Sequence, residues 1–171
     1  MNIPHFIIPD LRTDHAGETG AVNIYKGILF VSKNKEIIKF AQSHLKTEKK
    51  HLELIEQILP NDERSKLLFL WKFLGFLTGL IPALAGKKLI YATIYFVESF
   101  VEKHYEEQII KLRKKSKQEE LIKLLEKLKN DEISHKQESL QRFGKLSFLL
   151  KVWGNIVEMG SKTAVMISYK I

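Results

Sequence analysis

Six residues of the kinds that bind hard metal ions recur in one order, written twice: Glu18, then Glu48 with His51, and Glu98, then Glu132 with His135. Each half of the chain thus gives a single carboxylate followed by E-x-x-H. The i, i+3 spacing inside each E-x-x-H sets both side chains on one face of a helix, within reach of a common point. A carboxylate from each of two helices and an E-x-x-H from each of two more is how a four-helix bundle surrounds a pair of metal ions. The pattern therefore dictates the number of helices, their order and the faces that point inward.

With 16 Glu and 6 His in 171 residues, chance alone gives roughly 0.6 E-x-x-H pairs, so two are weak support by themselves. Geometry strengthens them. In a helical hairpin, residues at one height lie equally far from the turn, so the midpoint of each carboxylate pair should read as a turn. The midpoint of Glu18 and Glu48 is Lys33, within Ser32-Lys33-Asn34-Lys35, and that of Glu98 and Glu132 is Lys115, within Arg113-Lys114-Lys115-Ser116-Lys117. Both are polar breaks between apolar periodic stretches. Fifteen residues of helix put Glu18 and Glu48 about 22 Å from their turn, and seventeen put Glu98 and Glu132 about 25 Å from theirs, both in mid-bundle. Leu45, Leu52, Ile55, Ile94, Val101 and Leu128 share the ligand faces. A charge pointing into such a seam is costly unless paired or coordinated.

The expected architecture is therefore all-α: a ferritin-like four-helix bundle forming a single domain over 1–171. Hairpin 1 is placed at about 10–59, a long apolar crossover helix at about 63–86, hairpin 2 at about 87–143 and an additional C-terminal helix at about 145–169. The length suits one domain with a real core. With no Cys, disulfides, thiolate zinc sites and Cys-ligated iron–sulfur clusters are excluded. Oxygen-rich ligation with two imidazoles suits iron or manganese. A net charge of +8 predicts attraction to something anionic, nucleic acid or an acidic membrane surface, with basic clusters at Lys46, Lys49 and Lys50 and at 111–117. The opening residues lack the basic and apolar regions of a cleavable signal peptide, so the expectation is a bacterial cytosol-side protein or an already trimmed form.

Residues 67–85, LLFLWKFLGFLTGLIPALA, carry one charge, Lys72, and are long enough to span a bilayer. A single crossing would put Glu48 and His51 on one side and Glu98 on the other, so a shared metal site requires that the segment not cross. A helix of about 20 residues covers about 30 Å, the length a crossover needs. Gly75, Gly79 and Pro82 are expected to bend or break it near its end. The apolar stretch from Leu146, with Trp153 and Tyr169 as interface anchors, is expected to join it in a membrane-facing surface. His5 and His44 read as surface or capping residues and His15 as structural. Asp14 reads either as orienting a ligand or as capping the first helix.

The string DHAGETGAVNIYKG from Asp14, with Arg12 two residues before it, resembles the opening helix of the demethoxyubiquinone hydroxylases, ferritin-like di-iron monooxygenases of ubiquinone biosynthesis. EKKHL from Glu48, VES-x₄-HY-x-x-QI from Val97 and DEISH from Asp131 extend the likeness over essentially the whole chain. The resemblance implies two iron ions on Glu18, Glu48, His51, Glu98, Glu132 and His135. It also implies a role beside the metals, or on the substrate side, for His104 and Tyr105. Thr19 stands where the family often has Tyr, and Lys103 where a second His is frequent.

The implied activity is O₂-dependent hydroxylation of a polyprenylated benzoquinol ring. The implied setting is a peripheral protein on the cytoplasmic face of a bacterial inner membrane, or the matrix face of the mitochondrial inner membrane if organellar. An external electron donor is implied because no nicotinamide or flavin fingerprint is present. A homo-oligomer is compatible with this, and no nucleic-acid partner is expected. The alternatives are a ferritin-like di-iron hydroxylase acting on tRNA, which the positive charge would suit, an iron-binding or ferroxidase protein, and a metal-free helical scaffold.

Overall fold

The computed structural model describes residues 3–171, and among these it contains helices and no strand. Six α-helices follow in order: α1 Ile8–Val31, α2 Lys35–Ile58, α3 Leu68–Ala85, α4 Lys87–Lys115, α5 Glu119–Phe143 and α6 Phe148–Ser168. This is the all-α, ferritin-like bundle with crossover and C-terminal helix that the ligand order demands. The α1–α2 turn occupies residues 32–34, and the α4–α5 turn residues 116–118, beside or on the two midpoints. At the first turn Asn34 caps α2, its Oδ1 accepting from the Glu36 and Ile37 amides at 2.9 and 3.3 Å.

The core is divided in two. At one end Tyr25, Ile28, Ile37, Phe40, Tyr91 and Phe143 pack together, and at the other Leu11, Ile55, Leu59, Ile109, Leu112 and Leu121. Glu18, Glu48, His51, Glu98, Glu132 and His135 fall between these clusters along every helix of the bundle. The apolar ends hold the helices in register around a polar middle that could not hold itself together.

The crossover differs from expectation. α3 is continuous through Gly75 and Gly79 and closes only at Ala85, where Gly86 adopts φ 114° and the chain turns straight into α4. Its glycines serve packing rather than bending. A Cβ on Gly75 would strike the Gly20 backbone, one on Gly79 the Ile24 carbonyl, and one on Gly27 of α1 the Phe76 carbonyl. α1 and α3 thus touch backbone to backbone and form the most extensive helix pair in the molecule. Pro82, at the end of this contact, leaves only the last turn of α3 beyond it.

α6 lies across α4. Gly154 sits under the Phe96 ring, and the Trp153 indole donates to Thr93 Oγ1 at 2.8 Å. The outer faces of α3 and α6 stay uncovered: Phe69 is 84% exposed and Phe148 78%, with Phe73, Leu84, Leu149 and Met159 also open. By length and composition alone, α3 could cross a membrane. Its contact with α1 instead lays it along the bundle.

Candidate metal centre

The bundle brings all six sequence-predicted residues into one buried group. Glu18, Glu48, His51 and Glu132 can offer atoms within 4.8 Å of one another, and so can Glu48, Glu98, Glu132 and His135. Glu48 and Glu132, one from each hairpin, belong to both sets, as expected of carboxylates lying between two ions. His51 Nδ1 stands 2.9 Å from Glu132 Oε1, and His135 Nδ1 3.0 Å from Glu48 Oε1. Yet Glu18 Oε2, Glu48 Oε1, His51 Nδ1, Glu132 Oε2 and His135 Nδ1 are buried without a hydrogen-bond partner. Buried polar atoms are nearly always paired, so five orphans facing one another fit cations as the missing partner.

The protonation of the metal-free group says the same. Burial pushes His51 down, but Glu132 and Glu48 beside it more than offset this and hold it up to about 12. His135 is likewise depressed by burial and lifted by the same two carboxylates, to about 10. Burial raises Glu18 and Glu98 well above the ordinary carboxylate range, and neighbouring carboxylates add to the rise at Glu98. Glu48 is raised by burial but carried down to about 2 by the two imidazoles. Four carboxylates and two imidazoles cannot all take their ligand forms here until positive charge arrives. The donor set, all oxygen and imidazole nitrogen, suits iron or manganese.

Neighbouring groups fix the cluster. Tyr105 donates to Glu18 Oε1 at 2.5 Å, and Tyr25 to Glu98 Oε1 at 3.1 Å. The far nitrogen of His51 meets Asp131 Oδ2 at 3.1 Å, which sets the ring's tautomer and angle. His104 does not touch the cluster. Its Nε2 bonds Thr13 Oγ1 at 2.7 Å and lies 3.5 Å from Asp14 Oδ1. Thr19 turns its hydroxyl back to the His15 carbonyl, and Lys103 is exposed.

Two readings of single residues need correction. Asp14 lies within α1, well past its start at Ile8, so it caps nothing. Its carboxyl accepts from Gln108 Nε2 at 2.6 Å rather than steadying Glu18. His44 is not a surface residue: it is 2% exposed and bonded to Tyr25 and Glu138. The signal was present, because His44, Glu48 and His51 are spaced four and three apart on one face, and Tyr25 follows Glu18 by two turns. His15 is buried against Glu56, and His5 is exposed.

An apolar cavity of about 310 Å³ opens onto the carboxylates between α1, α3, α4 and α6. Gly17, Gly20, Trp71, Leu74, Phe100 and Trp153 are among its walls, and Glu18, Glu48, Glu98 and Glu132 lie at its floor. Its volume is that of a small-molecule site.

The fold and site define a ferritin-like bundle whose buried carboxylates and imidazoles could hold metal. The family model described as Ubiquinone biosynthesis protein COQ7 matches residues 6–168, and the chain belongs to that family. Among its relatives is a protein of Dictyostelium discoideum, 30% identical over 164 residues, that is, 94% of this chain and 76% of the relative. Another, from Homo sapiens, is 31% identical over 165 residues with the same coverage. Both are named NADPH-dependent 3-demethoxyubiquinone 3-hydroxylase, mitochondrial. A bacterial relative from Rhodospirillum rubrum, 32% identical over 105 residues (60% of this chain, 50% of the relative), is named 3-demethoxyubiquinol 3-hydroxylase.

Proposed function

We propose that the chain is a di-iron monooxygenase that hydroxylates the ring of a polyprenylated demethoxyubiquinol. The observation that carries this reading is the joined pair of ligand sets at the floor of an apolar cavity, in a chain whose relatives are named for that reaction. Nothing in the family match favours a tRNA hydroxylase or a ferroxidase.

Glu18 and His51 would hold one ion and Glu98 and His135 the other, with Glu48 and Glu132 available to both. The four carboxylates balance two divalent charges, so the loaded site is neutral and suits an apolar core. Iron bound there supplies the activation of O₂. The protein's own residues do the rest. Tyr105 and Tyr25 fix the carboxylates of Glu18 and Glu98, and Asp131 fixes His51. Trp71, Phe100 and Trp153 give the ring a dry bed beside the carboxylates. His104, on the cavity wall and bonded to Thr13, offers a polar contact to a ring oxygen.

The exposed faces of α3 and α6 rest on an anionic membrane surface, and both helices wall the cavity, so the ring enters while its isoprenoid tail remains in lipid. In this reading the protein works on the cytoplasmic face of a bacterial inner membrane, or on the matrix face in an organelle. The electrons come from an external donor, for which the relatives' names point to a reduced nicotinamide.

The test is turnover of the iron-loaded chain with a short-tailed demethoxyubiquinol, a reduced nicotinamide and isotopically labelled O₂. The product is expected to carry one labelled oxygen on the ring. Consumption of reductant without ring hydroxylation by the fully iron-loaded protein would contradict the reading.

A further inference from the structure

Hydroxylation takes up protons at a site whose cavity is mostly apolar and is taken up by the ring, and a separate way in would keep proton supply apart from the substrate. On a side the cavity does not reach, three side chains continue the cluster outward in an unbroken file. The Tyr25 hydroxyl, bonded to Glu98 Oε1, lies 3.1 Å from His44 Nδ1, and His44 Nε2 lies 2.9 Å from Glu138 Oε2. Tyr25 and His44 are 1% and 2% exposed, whereas the Glu138 side chain is 40% exposed. None of the three lines the cavity. The file therefore leads from a carboxylate of the metal group to solvent through α1, α2 and α5.

Its members are held in place. Arg142 grips Glu138 Oε1 at 2.7 Å, leaving Oε2 for the imidazole. The His44 ring is clamped between Phe40 and His135, with ring centroids at 4.1 and 4.0 Å. Apolar side chains would fill this part of the core without needing partners, so a buried Tyr–His pair calls for a reason beyond packing. The contact that leads from a histidine of the metal group itself to the surface, His51 to Asp131, is of a different kind. The inner nitrogen of His51 faces the metal position and cannot carry a proton while it is a ligand.

We propose that Glu138, His44 and Tyr25 form a proton inlet that delivers solvent protons to Glu98 Oε1. The inference rests on the hydroxylase reading. In the overall reaction one atom of O₂ enters a ring C–H bond and the other leaves as water, which takes two electrons and two protons. A reduced nicotinamide supplies both electrons and one hydrogen as hydride, and the remaining proton comes from solvent. A proton taken up at Glu138 passes to His44 Nε2, the Nδ1 proton moves to the Tyr25 oxygen, and the Tyr25 proton moves to Glu98. His44 and Tyr25 each gain one proton and lose one. His44 ends in its other tautomer, and tautomer exchange resets the file.

Two readouts keep the inlet distinct from the reading beneath it. In the metal-free full chain labelled at histidine nitrogens, the His44 ring signals are expected to shift in both Tyr25→Phe and Glu138→Gln, since one partner sits on each nitrogen. Signals unmoved by either substitution would overturn the file, whatever the enzyme hydroxylates. In the iron-loaded chain, His44→Ala is expected to lower kcat at least about tenfold with KM for the quinol little changed. Added imidazole should restore the rate, while Co²⁺ stoichiometry stays that of the wild type. Unchanged kcat, or a loss that imidazole does not restore and that travels with lost Co²⁺ binding, would overturn the inlet. A wild type that hydroxylates nothing sinks the functional reading alone, and the histidine signals still decide whether the file exists.

Discussion

Glu18 and Glu98 are buried where neither carboxylate can ionise cheaply, and His51 and His135 where neither imidazole can readily lose its proton. In the metal-free protein all four groups keep protons in the folded state that the unfolded chain releases, so their contribution to stability falls as pH rises. His15, His44 and His104 are shifted the opposite way, chiefly by burial, and their effect is confined to pH below about 7. Between about pH 7.5 and 9.5 the raised imidazoles of His51 and His135, held up to about 12 and about 10, carry this dependence. The melting temperature of the metal-free chain should therefore drop across that window, and bound metal, by displacing those protons, should remove the dependence. A metal-free melting temperature that is flat or rising there, in a pH-resolved thermal scan, would contradict these protonation states. At this scale the ligand positions were legible, because helix periodicity turns spacing into direction. The fate of Asp14 was not, and for His44 the spacing gave the inward face but not the partner. Their partners, Gln108 and Glu138, are each 94 residues away, and only the packing of α1 on α4 and of α2 on α5 makes those pairs.

The helix that departs most from its reading is α3. Glycine in a helix interior costs about 1 kcal/mol relative to alanine, which from sequence alone suggests weakness. Here Gly75 and Gly79, with Gly20 and Gly27 opposite, let two backbones meet, and that contact fixes α3 against α1. Period and length gave the helix; its close approach could not be read because it depends on two helices at once. Gly79→Ala puts a methyl group into the Ile24 carbonyl, which has nowhere to move. It should cost about 1–3 kcal/mol in denaturant unfolding and widen the cavity mouth that α3 walls. Gly160→Ala on α6, where a Cβ meets nothing, is the control and should be neutral or mildly stabilising. Equal effects of the two substitutions would show that the α1–α3 contact does not hold the crossover.

For the molecule as a whole, two apolar helices turn outward on a chain of net charge +8. Exposed Phe69 and Phe73 on α3 and Phe148 and Leu149 on α6 would be a liability in water and suit a lipid surface. Sedimentation with vesicles should show binding to anionic liposomes, and replacing these four residues by Ser should weaken it at least about tenfold. Recovery of the wild type entirely in the supernatant would remove the membrane role. That the sequence foretold an apolar crossover and a ligand order but not the two-part core follows from how they are encoded. Order and composition are local, whereas the two clusters on either side of the polar middle arise only when four helices align. The central claim is that the two hairpins jointly build one two-metal site, with Glu48 and Glu132 shared. Metal analysis of the anaerobically iron-loaded chain tests it most directly, comparing wild type with Glu48→Ala and His135→Ala. The account predicts about two irons per chain in the wild type and loss of the pair in both variants, although the substitutions sit on opposite hairpins. Substoichiometric iron in the wild type, or two irons retained in either variant, would contradict it.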